Sequence, residues 1–208
     1  PALQRTQNCY LAGVVTGDPG GKGKQWAQRY GFPEKNIYAY DKIEAMKDNP
    51  DIDIIYVVTP NSLHVQDVLA AVKAGKHVLV EKPGGRNAEE VAPIVEAARA
   101  KGRVVKAGFN HRFHPSFLKA REIVDSGALG PLMYIRGRYG HGGRKGYENE
   151  WRCVKDVSGG GELIDQGVHL IDLAGIFLGD FTKVEGHAAT YFWKMDVDDN
   201  AFLNLQNK

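Results

Sequence analysis

Apolar residues in the first half of this chain come in short runs, separated by stretches in which they recur at helical spacing. Residues 10–15 form one such run, followed by a Gly-rich turn and a helical stretch through Trp26 to Tyr30. Asp41-Lys42-Ile43-Glu44 has the capping-box pattern and predicts a helix closed by Pro50. Residues 52–58 read as a buried strand. Thr59-Pro60-Asn61 then leads into residues 65–73, whose apolar positions predict a helix ended by Gly75. Residues 77–80 are the next strand. Asn87 with Glu90 caps a helix over 91–100, stopped by Gly102, and 103–107 is a further strand. Strands alternating with helices of this length predict parallel βαβ units with helices on both faces. Past Phe109 the rhythm changes: a helix over 115–126, a strand over 132–139, a Gly/Arg/Tyr-rich loop over 140–158 and a helix over 161–178. Strands over 183–193 and from Ala201 close the chain. The expectation is a Rossmann-like domain, 1–108, followed by an α+β domain, 109–208, with an open, largely antiparallel sheet.

Composition narrows the function. Twenty-seven Lys+Arg against 25 Asp+Glu leave no clustered basic excess, which argues against a nucleic-acid partner. No apolar run approaches the ~20 residues needed to span a bilayer. Cys9 and Cys153, far apart in sequence, suit a reducing compartment, and a cytoplasmic location is expected. Twenty-five glycines are an excess over ordinary usage and point to tight turns and close backbone approach. The chain starts at Pro1 without a methionine and stops inside an alternating run, so a fragment at both ends is expected, and an export signal stays open.

Ligands of an open parallel sheet bind outside the carboxyl ends of its strands. Three such ends carry polar residues: Thr59-Pro60-Asn61-Ser62-Leu63-His64, Glu81-Lys82-Pro83 and Gly108-Phe109-Asn110-His111-Arg112. An ordinary strand exit or a solvated ion pair would also account for the first two. A lysine desolvated at a strand end, or set beside a cationic ring, suits acid–base work. A fourth segment, Gly159-Gly160-Gly161-Glu162-Leu163-Ile164-Asp165-Gln166-Gly167-Val168-His169, puts Asp165 and His169 four apart, on one face of a helix. The Gly triplet would let a backbone or a ligand approach that helix start. Such a carboxylate and imidazole can take a proton from a hydroxyl as hydride leaves its carbon, or simply form an i,i+4 contact. His111, His114 and His141 could join them around a metal, but no recognised zinc spacing is present, and no metal is expected.

The turn Thr16-Gly17-Asp18-Pro19-Gly20-Gly21-Lys22-Gly23 matches neither G-x-G-x-x-G nor the P-loop. Its place between strand and helix suits the turn beside an adenosine ribose. Thr16 after the strand, with Lys22 near, favours a 2′-phosphate and hence NADP over NAD; Asp18 counts the other way.

These segments together resemble the glucose–fructose oxidoreductase/inositol dehydrogenase (Gfo/Idh/MocA) family along essentially the whole chain. The resemblance rests on Thr59 to His64, on Ala74 to Pro83 with its Glu-Lys-Pro, and on Gly159 to His169. It implies a Rossmann domain, a second domain whose sheet makes dimer or tetramer contacts, and reversible hydride transfer between a nicotinamide cofactor and a sugar or polyol. By the same resemblance, His169 exchanges the proton, Asp165 orients the substrate hydroxyl, and Lys82 bridges that hydroxyl and the nicotinamide ribose. Glu81 and Asn110 meet the nicotinamide end, Pro60, Asn61 and His64 line the dinucleotide, and Thr16, Lys22 and Tyr40 lie near the adenosine phosphate. Trp151-Arg152 reaches the cofactor from the second domain. In the preceding loop His141, Arg144 and Tyr147 are candidate sugar contacts, since hydroxyl-rich ligands favour fork-like donors and aromatic faces. The family's first strand and its G-x-G-x-x-G turn would precede residue 1, and Gly84-Gly85-Arg86 stands where relatives often have Met-Ala. The resemblance therefore implies an active parent protein and weak cofactor binding by these 208 residues alone. The alternative reading is a non-catalytic, dinucleotide-sensing regulator of the same fold.

Overall fold

Short β-branched runs form the strands of the first half, and the loops between them form helices; the computed structural model describes residues 3–207. Strand β1 (Val14–Val15) pairs in parallel with β2 (Ile37–Tyr38), and helix α1 (Lys24–Tyr30) lies between them in sequence. A second sheet has the order β3-β4-β5, from Ile54–Val57, His77–Val80 and Val105–Ala107, with the parallel Rossmann-like arrangement expected. Helices α2 (Asn61–Lys73) and α3 (Ala88–Ala100) are the crossovers of this βαβαβ unit. Ile55, Val57, Val68, Ala71, Val72, Val78, Val80, Ile94 and Ala98 are among its buried apolar residues.

Two expectations need correction here. Strand β3 alternates, burying Ile55 and Val57 but exposing Ile54 and Tyr56, so it is covered on one face and not on both. The segment around Asp41 and Glu44 is a 3-10 helix, Tyr40–Asp48, entered two residues early: Ala39 is its extended cap, with no side-chain cap bond. A capping box needs its acidic residue at the cap. Asp41 instead pairs with Lys42 and Glu44 with Lys73 on the surface. The Asn87 cap forms as expected, its Oδ1 accepting from the Glu90 amide at 2.9 Å.

The remainder carries helices α4 (Pro115–Asp125), α5 (Lys155–Ser158) and α6 (Val168–Leu178) and the antiparallel pair β6 (Phe181–Ala189) and β7 (Asn200–Asn207). Residues 132–139 form no strand, a second correction of type. Extended chain becomes sheet only with a ladder partner, none is present among the described residues, and Met133 and Tyr134 point to solvent. Strand β6 stops at Ala189, short of Trp193, because the Asp199 carboxylate gathers the amides of Tyr191, Phe192 and Trp193 at 2.7–2.9 Å. Burial pushes the Asp199 carboxyl up, but Asn200 and these amides outweigh it and hold it near about 2. Asp199 therefore stabilises the fold above the ordinary aspartate range, and that contribution is lost as pH falls from about 4 toward 2. Asp199→Asn is expected to flatten the acid limb of a thermal-midpoint profile over that window; an unchanged limb would refute the assignment.

The chain divides into two compact units. The first comprises Pro1–Val57, Val65–Leu79 and Ala92–Lys106; the second comprises Val58–His64, Val80–Val91 and Ala107–Lys208. No helix among the described residues is long and apolar enough to cross a membrane.

Candidate active site

The exits of β3, β4 and β5 all belong to the second unit, which also holds the Gly159 to His169 segment, so the site is built within one unit. The β3 exit is braced from inside. The His64 ring is 0 % exposed, its two nitrogens 2.7 Å from the carbonyls of Pro83 and Thr59. His64 is thus a brace and not a lining residue: a side chain with no accessible surface touches no ligand. Asn61 is also buried, and its Nδ2 donates to the Ser158 carbonyl at 2.8 Å.

Past β4 the Lys82–Pro83 peptide is cis, and the Lys82 ammonium lies 2.6 Å from Asp165 Oδ1 while donating also to the Asp165 carbonyl. Burial pushes the Asp165 carboxyl up, but the hydrogen bond and charge of Lys82, with help from Gln166 and Arg152, hold it below the ordinary value. Arg152 Nε is 3.5 Å from Asp165 Oδ2 and its guanidinium stacks on Trp151.

Asp165 and His169 do not form the simple helical pair expected. Leu163–Gly167 is a π-turn running into α6, and the wider turn swings Asp165 toward Lys82. His169 is 6 % exposed, and its Nδ1 is buried with no hydrogen-bond partner among the described residues. Its ring stacks on His111, centroids 3.9 Å apart and planes 17° from parallel, with Phe109 and Tyr139 edge-on. Burial, then the positive charges of His111 and Lys82, lower the His169 pKa to about 4, against weaker opposing pulls from Asp165 and Asp172. At neutral pH it is an uncharged base.

Several supporting residues carried no local sequence signal. Asp198, remote in sequence, accepts from the amides of Gly161 and Leu163 at 2.9 and 2.7 Å, and its carbonyl accepts from Glu162. The Gly triplet thus admits a backbone: a Cβ on Gly161 would sit 1.8 Å from the Asp198 carbonyl oxygen. Arg86, where the resemblance is broken, donates to the Asp156 carbonyl and to Glu90 and lies across Gly159 (φ +85°). Arg112 forms a bidentate ion pair with the buried carboxylate of Asp172.

The expected substrate contacts are otherwise engaged. Tyr147 is 4 % exposed, its hydroxyl donates to Glu162 at 2.6 Å, and burial pushes its pKa upward. With Cys153 and Val197 it is core, so its assignment as a sugar contact is corrected: it presents no polar atom to a ligand. Arg144 pairs with Glu150, and His141 lies edge-on to Tyr147 with its Nε2 3.9 Å from Glu162. Thr16, Lys22 and Tyr40 belong to the first unit. There the Asp18 carboxylate accepts from the amides of Gly21 and Lys22, which keep it ionised, and Tyr40 is exposed.

The residues present fit the nicotinamide end of a dinucleotide. The strand exits carry an ammonium (Lys82), a carboxylate (Glu81) and an exposed carboxamide (Asn110), the donors and acceptors that a carboxamide and a ribose diol require. The neutral His169 ring carries an unprotonated nitrogen, the kind of acceptor a substrate hydroxyl requires.

Comparison with known proteins agrees with this geometry. The levoglucosan dehydrogenase of Pseudarthrobacter phenanthrenivorans is 32% identical over 167 residues, 79% of this chain and 42% of its own length. The aldose-aldose oxidoreductase of Caulobacter crescentus, solved with glycerol, superposes with a TM-score of 0.86 at 30% identity, over 98% of this chain and 61% of that one. A levoglucosan dehydrogenase solved with NADH and levoglucosan gives 0.80 at 29% identity, over 92% and 53%. The chain thus spans about half the length of the curated relatives it matches. Residues 1–109 match the oxidoreductase family's NAD-binding Rossmann fold and residues 117–208 the GFO/IDH/MocA C-terminal domain. With its strand-exit lysine, its aspartate and its buried imidazole assembled in one unit, the chain belongs to the GFO/IDH/MocA oxidoreductase family.

Proposed function

We propose that this protein is a nicotinamide-dependent dehydrogenase acting on a sugar or polyol hydroxyl, with the domain boundary at about residue 108. The observation that carries the reading is the neutral, buried imidazole of His169, held in the same unit as the Lys82–Asp165 pair. The dinucleotide, when bound, supplies hydride exchange, and Lys82, Glu81, Asn110 and Arg152 are the residues that would hold its nicotinamide end. The neutral His169 imidazole takes the proton of the substrate hydroxyl as the alcohol is oxidised and returns it in the reverse direction. Lys82, fixed by Asp165, donates to the same oxygen and stabilises the negative charge that develops there. Asp165 keeps the ammonium in place.

The turn after β1 favours NAD over the 2′-phosphorylated cofactor that Thr16 and Lys22 suggested. Asp18 stays ionised there, and a carboxylate repels a phosphate dianion. The relatives' names support the substrate class: levoglucosan is an anhydrosugar and an aldose a polyhydroxylated sugar. Homodimer or homotetramer assembly through β6–β7 is part of the proposal, since Val184 and Leu203 are exposed apolar residues on one face of that sheet. A cytoplasmic site accords with the two free thiols, Cys9 and Cys153.

The test is His169→Ala in the intact gene product, screened against sugars and polyols with NAD and NADP. Hydride transfer is expected to fall by roughly 10²–10⁴-fold while affinity for the reduced dinucleotide changes less than about twofold. Equal turnover in the variant, or no reduction of either cofactor by the unaltered protein with any polyol, would sink the assignment.

A further inference from the structure

The His111–His169 stack has no role in the reaction as proposed. His111 sits in the 3-10 turn Asn110–Phe113 after β5, and its Nε2 is 3.4 Å from the Tyr139 hydroxyl, with the Tyr139 ring edge-on at 5.2 Å. The two imidazoles lie face to face. Ring N–H bonds lie in the ring plane, so no hydrogen bond runs from one imidazole to the other, and His111 cannot receive the proton that His169 accepts.

We propose that His111 is a positioning residue for His169: stacked on its ring and tethered through Tyr139, it fixes the plane in which the His169 nitrogens lie and, when protonated, resists a second positive charge beside it. The inference rests on the reading of His169 as the proton-exchanging group. Every charged or titratable group facing His169 has a definite sign. Asp165, in the π-turn, and Asp172, on α6, favour the imidazolium; Lys82, from the β4 exit, and His111, from the β5 exit, oppose it. Phe109 and Tyr139 add uncharged ring edges. Of the two opposing groups, Lys82 is held in its ion pair with Asp165, so His111 is the one a substitution can change without breaking that pair.

His111→Phe keeps a flat stacked ring and removes the charge. Imidazole NMR titration of the 208-residue chain, with His169 assigned by its loss in His169→Gln, reads the effect without substrate or cofactor. It is therefore independent of whether the protein proves to be a dehydrogenase. The His169 midpoint is expected to rise by about one unit in His111→Phe. It is expected to rise in His111→Gln too, which serves if the phenylalanine variant does not fold. A midpoint within about 0.2 unit of the unaltered chain in the folded variant overturns the proposal. In the intact gene product the acid limb of kcat should move up by the same amount with KM unchanged. A fall in kcat with the limb in place would mark a merely structural role and also overturn it.

Discussion

Lys82→Met is expected to lower hydride transfer by about 10³-fold and to change the pH dependence of stability. Methionine matches the length of the lysine stem, so packing is largely kept and the charge is what is lost. In the unaltered chain the Lys82 hydrogen bond and charge oppose the burial that pushes Asp165 up, and the carboxyl ends below its ordinary value. A carboxylate with a depressed pKa stabilises the fold above its unfolded value and loses that contribution as pH falls through the folded one. Without Lys82, burial meets only Gln166 and the more distant Arg152, so the Asp165 pKa rises. The stability gap between the two proteins should therefore widen from about pH 3 to about pH 6. Urea midpoints across that range measure it. A gap that stays constant or narrows would show that the pair contributes nothing through charge.

Gly161→Ala is expected to destabilise the second unit by about 3–5 kcal/mol, since an added Cβ there meets a closer neighbour than at any other glycine. The added Cβ would meet the Asp198 carbonyl oxygen at 1.8 Å and its carbonyl carbon at 2.7 Å, and backbone cannot rotate away as a side chain can. Relief requires Asp198 to retreat, and Asp198 holds the amides of Gly161, Glu162 and Leu163. Each of those bonds contributes about 0.5–3 kcal/mol, most for those to the carboxylate. The same retreat would shift the π-turn that aims Asp165, so activity should fall beyond what stability explains. Gly20→Ala is the control: its Cβ would meet nothing within 4 Å, and its midpoint should stay within about 0.5 kcal/mol of the parent. Denaturant midpoints of the two variants decide between close backbone approach and mere glycine flexibility at the triplet.

Period and punctuation along the chain were enough to determine the βαβ rhythm, because a strand followed by an apolar helix face is a local pattern. They also determined the Asn87 cap, the helix running to Leu178 and the strand-exit placement of Lys82. Strand β2 escaped notice because two residues carry no period. Residues 132–139 looked like a strand because alternation describes what a segment could pair with, not whether a partner is there. The distinction between a ligand contact and a buried brace was illegible as well. His64 and Tyr147 have the chemistry of binding residues, and only their burial and their engaged nitrogens and hydroxyl remove them.

What tertiary structure alone decided is which groups meet. Lys82 and Asp165 are 83 residues apart, Gly161 and Asp198 are 37, and His111 and His169 are brought face to face from different elements. The residue types that could do acid–base chemistry were written in the chain. The protonation states that make them do it, an ionised Asp165 and a neutral imidazole, arise from burial and from charges that only folding brings within a few ångströms.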